Sequence, residues 1–108
     1  MDQFTALADA FLRQVAEAIE EADEQATLEV DVVSGILTVT FEDDRQLILN
    51  KHTPTKQLWL SSPLSGASHY SYNTELSRWF STRSGQELCA LLNGEFQALA
   101  KLELHLES

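Results

Sequence analysis

The apolar period of this chain changes from helical to alternating at Leu28, and that change limits what it can fold into. Before it, Phe4, Leu7, Ala8, Phe11, Val15, Ala18, Ile19 and Ala22 recur at steps of three and four. That is the stripe of an amphipathic helix. Asp2 is its expected N-cap, with Ala and Glu filling the body. After the change, Leu28, Val30 and Val32 alternate with Glu29 and Asp31, the period of a half-buried strand. Ser34–Gly35 marks a two-residue turn. Leu37, Val39 and Phe41 then alternate with Thr38, Thr40 and Glu42. Asp43–Asp44 turns the chain again, into QLILN, which completes a three-strand antiparallel meander.

Beyond the meander, Pro54 falls in a loop, where its missing amide costs least. The next strand puts Leu58 and Leu60 on one face and Gln57, Trp59 and Ser61 on the other. With the leucines inward, Trp59 faces solvent beside Gln57, either as a contact residue for a partner or as a lid over neighbouring strands. Short strands are expected over 67–72 and 76–80. Ser84-Gly85-Gln86-Glu87 reads as a Ser-x-x-Glu capping box. It introduces a second helix with Leu88, Leu91, Leu92, Phe96, Leu99 and Leu102 on one face and Cys89 beside the stripe. The tail LELHLES is expected as an extended segment tucked into the core. The predicted fold class is α+β: a two-layer α/β sandwich, with an antiparallel sheet of about six strands and both helices on one face. At 108 residues, 1–108 is expected to be a single domain.

Charge says what this domain can meet. The formal net charge is −10. Phosphate neutralisation needs Lys and Arg, so nucleic acid is disfavoured, and so are anionic membrane surfaces. A cation or a basic protein surface is the natural counterpart. One cysteine, Cys89, cannot close an internal disulfide. MDQFTALADAF has no basic region leading into an apolar run, and no segment approaches the length of a bilayer span, so a cytoplasmic protein is expected.

The acids are concentrated. Glu17, Glu20, Glu21, Asp23, Glu24, Glu29 and Asp31 lie within fifteen residues, and no Lys or Arg occurs between Arg13 and Arg45. A solvated helix face is the plain alternative for such a run. Two features argue against it. Glu17–Glu21 and Glu20–Glu24 are like-charged i,i+4 pairs that repel. The acids also crowd the C-terminal half of a helix, where the macrodipole favours cations. Local cost of this kind is typical of a functional site. Oxygen ligands in excess suit hard cations, held by charge and not by a cage. His52, His69 and His105 are scattered and read as ordinary polar residues. Cys89 reads as a packed thiol. No phosphate loop, nucleophile–base pair or ligand cage is present, so no enzyme is expected.

Three pieces of sequence carry a likeness. LADxFLxxVxxxIEEADE runs into LEVDVVSGILTVTFE. Asn50 precedes Gln57-Leu58-Trp59-Leu60-Ser61. RWFSTRSGQELCALL turns through Ser-Gly into the second helix. Together they resemble the frataxin family, in the bacterial branch usually called CyaY. The resemblance implies a part in iron–sulfur cluster assembly. It implies weak binding of Fe(II) and Fe(III), with other divalent cations able to substitute, and association with the cysteine desulfurase and the scaffold protein. It implies regulation of the desulfurase, with donation of iron left open. Glu17, Glu20, Glu21, Asp23, Glu29 and Asp31 fall on acidic family positions, whereas Ala16, Gln25 and Thr27 stand where relatives often have acids. Glu24 joins the metal set by its place on the ridge. Glu20, Glu21, Asn50, Gln57 and Trp59 are the expected partner-binding residues. A monomer is expected, with iron-driven oligomerisation left open. The rival reading is an acidic adaptor with no metal role.

Overall fold

The computed structural model describes residues 3–107; the expected cap Asp2 lies outside them. Helix α1 spans Gln3–Ala22, and six strands follow: β1 Glu29–Val33, β2 Ile36–Thr40, β3 Gln46–His52, β4 Gln57–Ser62, β5 Gly66–Asn73 and β6 Arg78–Ser81. Helix α2 spans Leu88–Ala100. The strands form one sheet in sequence order, and every neighbouring pair is antiparallel. Short connections make this order the simplest one available.

The register shows which way each strand faces. Val39 pairs with Leu47, Leu49 with Leu60, Leu58 with Tyr70 and Tyr72 with Trp79. All but the half-buried Tyr72 are buried, and they form one cluster with Phe11, Leu12, Val15 and Ile19 of α1 and Leu88, Leu92 and Phe96 of α2. Both helices therefore cover the same face, as expected, and the other face is open. Trp79 anchors the far end, edge-on to Phe4 and Tyr72 and tilted against Phe11. The tail docks as expected: Leu104 and Leu106 are buried, and the Asn93 amide receives the Leu106 N–H and donates to its carbonyl.

Three local expectations need correction. Ser84 is not the cap of α2. Glu87 is, with extended backbone and a carboxylate that accepts from Cys89 N (2.7 Å) and Ala90 N (3.0 Å). Ser81 takes the chain away first, because its hydroxyl accepts from Arg83 N and Ser84 N and folds 81–84 into a turn. Leu102 does not extend the α2 stripe, since Lys101 turns left-handed (φ 55°) and ends the helix. The strand expected over 76–80 begins at Arg78. Asn73 Oδ1 captures the Leu76 amide, and Ser77 has positive φ, so these residues turn and leave Leu76 exposed.

Candidate functional site

The acids of α1 meet those of β1 at a corner that Asp23 builds. Asp23 Oδ1 accepts from Thr27 N (3.0 Å) and Thr27 Oγ1 (2.9 Å), and Oδ2 accepts from Leu28 N (2.8 Å). Only 9% of the residue is exposed. Burial pushes its pKa up, but the hydrogen bonds from Leu28 and Thr27 outweigh burial and hold it below the ordinary carboxylate range. Both oxygens are thus engaged inside the protein. Asp23 ties the end of α1 to the start of β1, and Ala26 supplies the left-handed residue (φ 52°) of the turn.

Glu17, Glu20, Glu21, Glu24, Glu29 and Asp31 are all exposed. Their placement follows from the elements. Val30 pairs with buried Val39, so Glu29 and Asp31, opposite Thr40 and Thr38, point to the open side of the edge strand β1. On α1, Glu20 shares the helix sector of Asp9 and Arg13, which lines a cleft with Val32, Ser34 and Lys51 beside the β1–β2 turn. Glu21 lies on the other flank, in a recess of about 350 Å³ with Glu103 and His105 of the tail. At the corner, Glu24 shares a recess of about 310 Å³ with Asp23, Gln25, Thr27 and Glu42. The acids therefore form a band wrapped over the α1–β1 edge.

This band is unneutralised. The ion pairs among the described residues are Arg45–Asp43 and Lys51–Asp9, and neither involves the six exposed acids. No group of three or more His, Cys, Asp or Glu side chains among the described residues is assembled to hold a metal ion. The donor set is carboxylate oxygen, which fits a hard cation attracted by summed charge. Local sequence gave no sign of Glu42 and Glu103, because only the chain's return past the corner brings them to the band.

A second group sits on the open face. Asn50, Trp59 and His69 lie in one row across β3, β4 and β5. The indole is stacked with His52 (3.7 Å between centroids, 9° between planes) and with His69 (4.2 Å, 13°). Two rings this close and parallel to one indole would collide on the same side, so they lie on opposite faces of it. Trp59 Nε1 donates to Gln57 Oε1 (2.8 Å), and His52 Nδ1 is 2.8 Å from Thr55 Oγ1. Trp59 is beside Gln57 as expected, but half-buried. Two of the three histidines read as isolated polar residues, His52 and His69, are its walls, because β3 and β5 flank β4. The indole separates the two imidazoles, so they cannot chelate one ion together.

A two-layer sandwich with an acidic α1–β1 edge and an aromatic row on its open sheet defines the class: a small fold that presents one strongly anionic border. No helix among the described residues is long and apolar enough to cross a membrane. The chain belongs to the frataxin family: the family model for the frataxin-like domain matches residues 1–102. It is 36% identical over 90 residues to the iron-sulfur cluster assembly protein CyaY of Thioalkalivibrio sulfidiphilus, covering 83% of each chain. It is 37% identical over 93 residues to the CyaY of Ralstonia nicotianae, covering 84% of this chain and 80% of that one. The frataxin of Psychromonas ingrahamii superposes with a TM-score of 0.85 at 31% identity, over 98% of this chain and 96% of that one. Yeast frataxin in a trimeric crystal structure complexed with ferrous iron superposes with a TM-score of 0.75 at 28% identity, over 88% and 86%.

Proposed function

We propose that this protein serves iron–sulfur cluster assembly in the cytoplasm by binding and not by catalysis. In this reading Fe(II) and Fe(III) are cargo or signal, held weakly on the band of Glu17, Glu20, Glu21, Glu24, Glu29 and Asp31. Asp23 sets the corner beneath them. The same acids dock a Lys/Arg patch of the cysteine desulfurase. The observation that carries the reading is that six exposed carboxylates on α1, the corner and β1 have no ion-pair partner among the described residues. Names of relatives as iron-sulfur cluster assembly proteins, and a ferrous complex of yeast frataxin, support it.

The mechanism is electrostatic linkage. Crowded carboxylates lower the local potential, and a divalent cation screens their repulsion. A basic partner would do the same, so metal and partner compete for, or share, one surface, and occupancy by one tunes the affinity for the other. Asn50, Gln57 and Trp59 supply the uncharged part of the interface, to the enzyme or to the scaffold protein.

The test is an anaerobic Fe(II) titration, or Co(II) in its place, at fixed ionic strength. Resonances of residues 17–31 should broaden selectively. A pull-down with the desulfurase should fail for Glu20→Lys/Glu21→Lys while the fold survives. Unaltered capture by that variant would refute the docking surface. The adaptor reading without metal predicts a uniform response to any salt.

A further inference from the structure

Among its surface recesses, this anionic protein has one that carries the opposite demand. Between the start of β5 and the loop after β6 lies a cleft of about 540 Å³, lined by Ser65, Ala67, Ser68, His69, Ser81, Thr82, Arg83 and Ser84. No carboxylate is in the lining. Its donors are mostly unspent. The hydroxyls of Ser65 and Thr82, the guanidinium of Arg83 and the ring nitrogens of His69 have no hydrogen-bond partner among the described residues. Ser81 Oγ accepts from Arg83 N and Ser84 N, and Ser84 Oγ accepts from Gln86 N, so both keep a proton to give. Only Ser68 has placed its proton, on the Tyr70 hydroxyl (2.9 Å).

The wider surroundings agree. Residues 46–86 carry Lys51, Lys56, Arg78 and Arg83 against one acid, Glu75. Because the strands lie in sequence order, charge changes sign across the sheet, from acidic β1 to basic β6. A hydroxyl-rich recess with a fork of guanidinium donors and no carboxylate in its lining matches a tetrahedral oxyanion.

We propose that this cleft binds a phosphate group, with Arg83 as its charged ligand and Ser65, Thr82, Ser84 and His69 as further donors. The site is independent of the acidic edge. His69 is shared with the Trp59 stack, so an occupied cleft would also fix one wall of that stack.

The experiment is a titration of the intact chain with inorganic phosphate, with chloride adjusted to hold ionic strength constant, read by amide resonances. Saturable shifts are expected at residues 65–69 and 81–85. Arg83→Gln removes an exposed charge and keeps a polar side chain. It should weaken binding by about tenfold or more, as loss of a charge-assisted bond predicts. Arg45→Gln, in the β2–β3 turn and outside the cleft lining, should leave binding unchanged. A parallel titration with glycerol phosphate identifies the source: tighter binding indicates a phosphorylated metabolite, and equal or weaker binding indicates free phosphate. The proposal is overturned if chloride alone gives the same shifts, if the shifts do not saturate, or if Arg83→Gln binds like the parent with an unchanged melting temperature.

Discussion

Asp23 is one carboxylate among seven, yet its job differs from that of its neighbours. Its three accepted hydrogen bonds hold the α1–β1 corner. Asp23→Ala strands the amides of Thr27 and Leu28 and should cost about 2–4 kcal/mol, read from the urea midpoint at neutral pH. The pH dependence has a definite sign. A carboxylate whose pKa is lowered by folding stabilises the folded state above its unfolded pKa. That contribution is lost as pH falls through the folded value. The gap between parent and variant should therefore be full at pH 7 and shrink below the ordinary carboxylate range. Ser62 is a second such residue: its hydroxyl donates to buried Glu95 (2.6 Å) and accepts from Leu64 N and Ser65 N. Ser62→Ala should cost about 2–3 kcal/mol in the same assay, since it leaves both Glu95 oxygens unpaired.

Helix α1 carries its conflict as an element. It has no basic residue in its last turn, where the dipole is negative, and Glu17 and Glu21 repel at i,i+4. The expected helical pair Glu20–Glu24 is not formed, because α1 ends at Ala22 and Glu24 stands in the turn beyond it, yet both acids crowd that negative end. Glu20→Ala/Glu24→Ala relieves that crowding and should raise stability by about 0.5–1 kcal/mol, seen as a higher melting temperature. A lower one would mean these acids have partners in the fold. The β1–β2 hairpin shows the opposite economy. Ser34 and Gly35 both take positive φ, 51° and 78°, as a two-residue hairpin turn demands. A Cβ on Gly35 would also lie 2.9 Å from Lys51 Cε, and Lys51 holds Asp9 of α1 at 2.8 Å. Gly35→Ala should cost about 1–2 kcal/mol by urea denaturation, from left-handed strain alone.

The whole molecule is a charge dipole laid across a sheet. The acidic pole is the α1–β1 edge, and the cationic residues 46–86 occupy the later strands. Net charge of −10 makes the folded state repel itself, so added salt should raise the melting temperature. A divalent cation that binds the edge should raise it further at matched ionic strength, because binding only the folded state stabilises it by linkage. Equal shifts for sodium and divalent salts in a thermal scan would show screening without binding.

Periodicity in the chain determined the two helices, the meander, the inward leucines and the acidic run, since alternation and three-to-four spacing are local properties. It did not determine where elements begin when side chains compete for backbone groups, as Ser81 and Glu87 do before α2 and Asn73 does before β6. Nor could it separate Asp23 from the other acids, because only the corner brings Thr27 and Leu28 to its oxygens. His52 and His69 looked unrelated until β3 and β5 closed on either side of Trp59. Glu42 and Glu103 join the acidic edge, and Ser65 meets Arg83, in the same way. Composition and period are written residue by residue, but neighbours distant in the chain exist only once packing has brought them together.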